Sequence, residues 1–379
     1  MFRMGWLLIL ILGCWSCDPA SAPITVHFEV AAQDLDDDEA VFIAGNQPIF
    51  KNWRPDGLKL MPKDGRWVGI IHLDTIKQLE FKLTKGSWET EALLENGEVP
   101  DNYRIRVSRD TTIRLSVPQW KSGESQHKLK GQITGTLKYH KQFKTPGLPD
   151  RDVSVWLPPG YTNQPENRYP VIYAHDGQNL FDPATASFGV DWGMDEVADS
   201  LIRHQIIEPV IIVGIASTEK RSYEYGPFLE GEQYMRFVTQ TLKPFIDKNY
   251  RTLPSQEYTT TWGASMGGLI AFMLVWEHNA TFSKAACFSP AFQFSFQEER
   301  IDYPAIVEEY RGQPKKMALY IDNGTLGVDD MLQLGVDAMT NTLEKQNYPF
   351  NYYFADGADH NEAAWSARVW RPMTQFFGK

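Results

Sequence analysis

Between Ile24 and Val117 apolar and polar residues alternate in short runs: ITVHFEV, AVFIAGN, GRWVGIIHL, LEFKLTKGSW, YRIRV and TTIRLSV, each closed by turn-forming residues. A period of two is what a strand with one face on a core requires, so residues 21–118 are predicted to form an all-β, immunoglobulin-like sandwich. The polar, glycine-containing PQWKSGESQHKLKGQ that follows predicts a linker over 119–130, with Trp120 able to pack on either side. From residue 131 the rhythm changes. Apolar strand candidates (RDVSVWLP, PVIYAHD, PVIIVGIAS, EYTTTWGAS, AACFSP, KMALYIDNG, FNYYFADG) alternate with helical stretches such as EQYMRFVTQTLKPFIDKNY, GGLIAFMLVWEHN and MLQLGVDAMTNTLEKQ. This is the signature of a mainly parallel, doubly wound sheet covered on both faces, and it predicts an α/β domain over 131–379.

Residues 1–20 stand apart from both patterns. An arginine precedes a short apolar run from Trp6 to Leu12, then Gly13 and Cys14. The run is too short to span a membrane as a helix and has the layout of an export signal. It also resembles a bacterial lipoprotein signal, which implies lipidation at Cys14, with Cys17 as the alternative, and an exported protein anchored to a membrane in the periplasm or at the cell surface. Only Cys287 then remains, so the exported part must be stable without an internal disulfide. The 379 residues carry 37 basic and 48 acidic side chains, a formal charge of −11, which disfavours nucleic-acid partners. The acidic DLDDDE reads as a solvated loop, because it lacks the glycine and distal glutamate of a calcium loop.

The chemistry is sought where strands end and helices begin. Ser265, in GASMG, occupies such a turn, and Gly263 and Gly267 permit the sharp bend that projects its hydroxyl. A serine needs a histidine to take its proton and an acid to orient that histidine. In this fold the order is serine, acid, histidine. Of the eight histidines only His278 and His360 follow Ser265; His278 ends the helix the serine begins, which leaves His360 in DGADHNEAAW. Asp322, Asp329 and Asp330 all follow the KMALYID strand and are candidates for the acid. Met266 N–H is an expected oxyanion donor, and Asp176 or Gly177, after VIYAHD, the second. His175 and Asp176 lack partners at ligand spacing, so no metal and no cofactor is expected.

With these residues in place, the chain resembles the putative-esterase family of α/β-hydrolases, the group of enterobactin esterases, feruloyl esterases and S-formylglutathione hydrolases. The resemblance covers residues 131–379 and is carried by RDVSVWLPPGY, YPVIYAHDGQNLFD, GASMGGL and GADHNEAAW. It implies Ser265 as nucleophile, His360 as base and Asp329 as the best-matched acid. Through GIASTEKRSYEY it implies that Arg221, Glu224 and Tyr225 line the pocket, with Trp365 beside them and Glu362 in support. Residues 21–118 resemble a starch-binding-type carbohydrate-binding module, through GNQPIFKNW, DGRWVGIIHL and LEFKLTKGSWETE. That likeness implies glycan contacts at Trp67, Lys82 and Trp88, where indoles offer flat apolar faces and lysine offers donors.

The expectation is an exported serine esterase acting on acyl or feruloyl esters of glycans. A siderophore esterase is the second enzyme reading. The non-enzymatic alternative is a surface lipoprotein that keeps the hydrolase fold as a scaffold and binds glycan.

Overall fold

The computed structural model describes residues 23–379 apart from 34, 36–38, 52, 88–89, 96–99, 101, 122–131 and 297–298. The chain divides into two compact units, one ending at Trp120 and the other running on from Lys121 to Lys379.

The first unit contains β1 (Ile24–Ala32), β2 (Phe42–Gly45), β3 (Leu58–Lys59), β4 (Met61–Lys63), β5 (Arg66–Leu73), β6 (Lys77–Thr84), β7 (Ala92–Leu93), β8 (Tyr103–Val107), β9 (Thr111–Val117) and β10 (Gln119–Trp120). They form two four-stranded sheets, in the orders β4-β5-β1-β9 and β3-β2-β6-β8, and a small β10-β7 pair. The period of two is visible in β1, whose Val26, Phe28 and Val30 are fully buried while His27 and Glu29 face outward. Phe28 meets Phe50 and Phe81 edge to face at the centre of the core. Trp120 belongs to this unit and not to a linker: it lies in β10, is buried, and donates its indole N–H to Gln33 O at 2.9 Å.

The second unit continues with β11 (Thr136–Phe143), β12 (Arg151–Leu157), β13 (Val171–His175), α1 (Met194–Arg203), β14 (Ile211–Ile215), α2 (Arg221–Glu224), α3 (Leu229–Arg236), α4 (Lys243–Asn249), β15 (Thr259–Ala264) and α5 (Met266–Glu277). It closes with β16 (Lys284–Phe288), β17 (Gln293–Phe296), β18 (Glu299–Asp302), α6 (Tyr303–Glu309), β19 (Ala318–Gly324), α7 (Val328–Lys345), β20 (Phe350–Ala355), α8 (Glu362–Ser366) and α9 (Trp370–Phe377).

Eight strands form one sheet, ordered β11-β12-β14-β13-β15-β16-β19-β20; β11 and β12 pair antiparallel with their neighbours and the rest run parallel. This is the doubly wound α/β-hydrolase sheet. Its central strands are buried on both faces, which is why they read as continuous apolar runs. Two apolar layers sandwich it, one formed with α3 to α7 and the other with α1 and α9. Cys287 lies fully buried on β16, in register with Gly263 on one side and Ile321 on the other. The register also brings the C-terminal strand ends level: Ala264 pairs with Phe288 and Phe288 with Asp322.

Two details depart from the pattern-based expectation. The stretch predicted as one helix over EQYMRFVTQTLKPFIDKNY is α3 and α4 joined by a wider turn, in which Lys243 N–H reaches the carbonyl of Val238, five residues back. Helix α7 begins at Val328, so Asp329 and Asp330 stand in its first turn and not on a free loop.

Candidate active site

Strand β15 ends at Ala264 and α5 begins at Met266, so Ser265 alone makes the turn. Its backbone sits at φ 58° and ψ −123°, a region L side chains rarely occupy. The flanking glycines make the bend sterically possible. A Cβ on Gly263 would lie 2.3 Å from the Gly267 carbonyl oxygen, and one on Gly267 would lie 3.1 Å from Asp176 Oδ2. Ser265 N–H donates to Phe288 O at 2.9 Å and Ser265 O accepts from Ala291 N–H at 3.0 Å, which clamps the turn to the end of β16. Met266 is the first residue of α5, and its N–H lacks an intrahelical acceptor at the positive end of the helix dipole.

Asp329, in the first turn of α7, and His360, between β20 and α8, meet beside this turn. Asp329 Oδ1 lies 2.5 Å from His360 Nδ1. The other oxygen, Oδ2, accepts from Gly324 N–H at 2.7 Å and Ser289 Oγ at 2.8 Å. The carboxylate is fully buried while the imidazole is 14% exposed, so one edge of the pair is accessible. With Nδ1 engaged, Nε2 is the nitrogen left for proton exchange. Among the described residues no hydrogen bond joins Ser265 Oγ to His360; such contacts commonly tighten only in the substrate complex.

Two residues without any sequence signal complete this arrangement. Ser289 Oγ accepts from Trp365 Nε1 at 3.1 Å and from Arg368 Nη2 at 3.0 Å while donating to Asp329. Arg368 spans both oxygens of Asp322, at 2.8 and 3.1 Å. The two alternative acids are corrected by these positions: Asp322 is buried against Arg368 and Tyr320 Oη, and Asp330 is exposed.

The loop after β13 forms another wall. Asp176 adopts the left-handed conformation (φ 55°) and binds Arg221 through two hydrogen bonds of 2.7 Å each. Its N–H donates to Tyr225 Oη at 3.2 Å and is therefore engaged, which corrects Asp176 as an oxyanion donor. A Cβ on Gly177 would lie 2.4 Å from the Gly214 carbonyl carbon, so the loop presses flat on β14.

Of the expected pocket residues, Arg221 keeps a third of its side chain (32%) in solvent. Glu224, Tyr225 and Trp365 are buried, which corrects their assignment as lining residues. Glu224 holds Arg151 through two bonds of 2.9 Å, Tyr225 lies under the Arg221 guanidinium at 5.0 Å, and the Trp365 ring meets His360 edge to face at 5.0 Å. Each braces the site from behind. Glu362 does likewise: it accepts from Asn179 Nδ2 at 3.1 Å, and burial, aided by Asp176, pushes its carboxyl up to about 7. His175 is enclosed between Tyr234 Oη (2.8 Å) and Thr261 Oγ1 (3.0 Å), and burial pushes it down to about 3, so it stays neutral and structural.

In the first unit Trp67 is half-buried on β5 against the sandwich core. Lys82 lies on β6, in the other sheet, 2.6 Å from Glu91. The expected glycan contacts Trp67 and Lys82 thus stand on different sheets of the sandwich. Trp88, like Cys14 and Cys17, lies outside the described residues.

The family model described as "Putative esterase" matches residues 149–374. "Uncharacterized protein YbbA" of Bacillus subtilis (strain 168) is 24% identical over 182 residues, 45% of this chain and 66%, just under two thirds, of that protein. An enterobactin esterase from Shigella flexneri, solved with 2,3-dihydroxy-N-benzoyl-glycine, superposes with a TM-score of 0.55 at 12% identity, covering 93% of this chain and 92% of that one. A ferulic acid esterase from Anaeromyces mucronatus, solved with ferulic acid, gives 0.51 at 18% identity over 66% of this chain and 92% of that one. At these identities the solved structures speak to the fold.

Proposed function

The chain belongs to the "Putative esterase" family, as an ester hydrolase, and on that premise we propose that it cleaves carboxylic esters through an acyl-enzyme on Ser265. The observation that carries this reading is the backbone of Ser265, at φ 58° and ψ −123° on a strand-to-helix turn clamped to Phe288, whose neighbour Ser289 donates to the Asp329 that holds His360. Strain of that kind is retained where it aims a reacting group.

In the proposed reaction Ser265 Oγ attacks the ester carbonyl carbon as its proton passes to His360 Nε2. Asp329, bonded to Nδ1, holds the ring in the required tautomer and orientation. The tetrahedral oxyanion is received by the N–H groups of Met266 and Gly177. Collapse breaks the bond to the alcohol oxygen, which leaves with the proton from His360. Water, deprotonated by the same imidazole, then releases the acid and restores the serine.

Two of the solved neighbours hold ferulic acid and 2,3-dihydroxy-N-benzoyl-glycine, which supports an aromatic acyl group, and we propose feruloyl-type glycan esters as the first substrates, with catecholate siderophore esters as the second. The proposal is tested with a fluorophosphonate probe and peptide mapping, beside turnover of a simple aryl ester. Label on Ser265, and a loss of at least about 10³-fold in kcat on Ser265→Ala, is the expected result. Folded protein that neither takes the label nor turns over ester would overturn it in favour of a glycan-binding scaffold.

A further inference from the structure

A second cluster of charged groups lies where α1 begins. Asp191, at the end of the loop after β13, and Asp195 and Glu196, in the first turn of α1, bring one carboxylate oxygen each within 4.8 Å of one another. Three of their oxygens have ordinary partners within the second unit. Asp191 Oδ2 accepts from Gly193 N–H at 3.1 Å, Asp195 Oδ2 from Thr134 N–H at 2.7 Å, and Glu196 Oε1 from Gln132 Nε2 at 3.3 Å and Thr134 Oγ1 at 3.4 Å. The remaining oxygens of the two helix residues do not. Asp195 is fully buried, and its Oδ1 and Glu196 Oε2 are shielded from solvent with no hydrogen-bond partner. A carboxylate oxygen in that position costs several kcal/mol unless a proton or a cation meets it. Among the described residues no lysine or arginine forms an ion pair with any of the three.

We propose that Asp191, Asp195 and Glu196 form a divalent-cation site that takes calcium. The donors are all hard carboxylate oxygens, with neither imidazole nor thiolate, which suits calcium or magnesium over zinc or copper. Calcium is the better fit of the two, because it accepts carboxylates in irregular geometry, whereas magnesium demands near-ideal octahedral coordination and keeps most of its waters. The position of the site gives the ion a role. It ties residues 132–134, just before the first strand of the sheet, to the loop that carries Trp192, and Trp192 packs on Trp365 beside His360.

The competing state is a proton shared between Asp195 and Glu196, consistent with the Asp195 carboxyl being pushed up to about 8 by burial and by Glu196. Terbium distinguishes them, because Trp192, one residue from Asp191, can sensitise its emission. Full-length protein stripped with EDTA is titrated with Tb³⁺ under indole excitation, then with Ca²⁺ as competitor, and its melting is followed with and without 1 mM Ca²⁺. The expected result is saturable emission displaced by Ca²⁺, at least tenfold weaker affinity in Asp195→Asn and Glu196→Gln, and a calcium-dependent rise in Tm of about 5 °C in the parent chain only. If either variant fails to fold, Asp191→Asn, at the half-buried edge, carries the same comparison. Emission of equal strength in parent and variants, or no calcium-dependent change in Tm in the parent, overturns the site and leaves the shared proton.

Discussion

A single hydroxyl, at position 289, connects two buried charges. Ser289 Oγ receives hydrogen bonds from Arg368 and Trp365 and passes its own to Asp329, the carboxylate against His360. Ser289→Ala leaves two buried donors without their acceptor and the Asp329 carboxylate with one donor fewer. A net loss of about 1.5–3 kcal/mol corresponds to a fall in kcat of about 10–100-fold with KM little changed, if the loss is confined to the transition state. Steady-state kinetics on a simple aryl ester check it, and an unchanged kcat refutes the coupling. Glu362 gives a prediction in pH. Burial, the largest cause, raises its carboxyl from 4.5 to about 7, so the folded chain holds that proton more tightly than the unfolded one. The associated stability is complete below about pH 4.5 and is lost as pH rises through about 7. Glu362→Gln keeps an acceptor for Asn179 and carries no charge; its Tm relative to the parent should climb between those two values and then level off. Neither Ser289 nor Arg368 was legible in the chain, because nothing in ACFSPAF marks a serine that matters. Strand order makes the connection, since β16 lies between β15 and β19 and sets Ala264, Phe288 and Asp322 in one row, with Ser265 and Ser289 the next residues along their chains.

At the scale of elements, the turn from β15 to α5 is fixed by what cannot fit there. A methyl group at Gly263 would sit 2.3 Å from the Gly267 carbonyl oxygen, and backbone cannot yield as a flexible side chain would. Gly263→Ala is therefore expected to cost about 2–3 kcal/mol in urea unfolding and to lower ester turnover with it. Loss of activity at full stability would show that the glycine serves the hydroxyl's aim alone. This turn was readable beforehand because glycine spacing, a β-branched run and an apolar helix all agree on it. The break between α3 and α4 was not, since a helix with a wider turn keeps nearly the same apolar stripe as an unbroken one. The start of α7 was missed for a related reason: Gly327, Asp329 and Asp330 are residues of loops and of helix N-termini alike.

For the molecule as a whole, the change of period near residue 120 predicted two units, and each has its own apolar core. Residues 121–379 expressed alone should fold and hydrolyse the same aryl ester at the full chain's rate. Near-UV circular dichroism and kinetics measure both, and a segment that folds without activity would mean the first unit contributes to the reaction. Sheet class and strand succession were legible because buried parallel strands and half-buried antiparallel ones leave different patterns. Which side chains face a pocket was not: Glu224, Tyr225 and Trp365 belong to motif segments yet point into the protein, a difference that only packing decides. Cys287 gives the enclosed sheet a practical consequence. Its sulfur, flanked by Gly263 and Ile321 on neighbouring strands, is out of reach of any thiol reagent while the sheet is closed. The pace at which that one position is alkylated is then set by how often the middle strands part, so the chain carries its own clock for the opening of the strands that lead to Ser265.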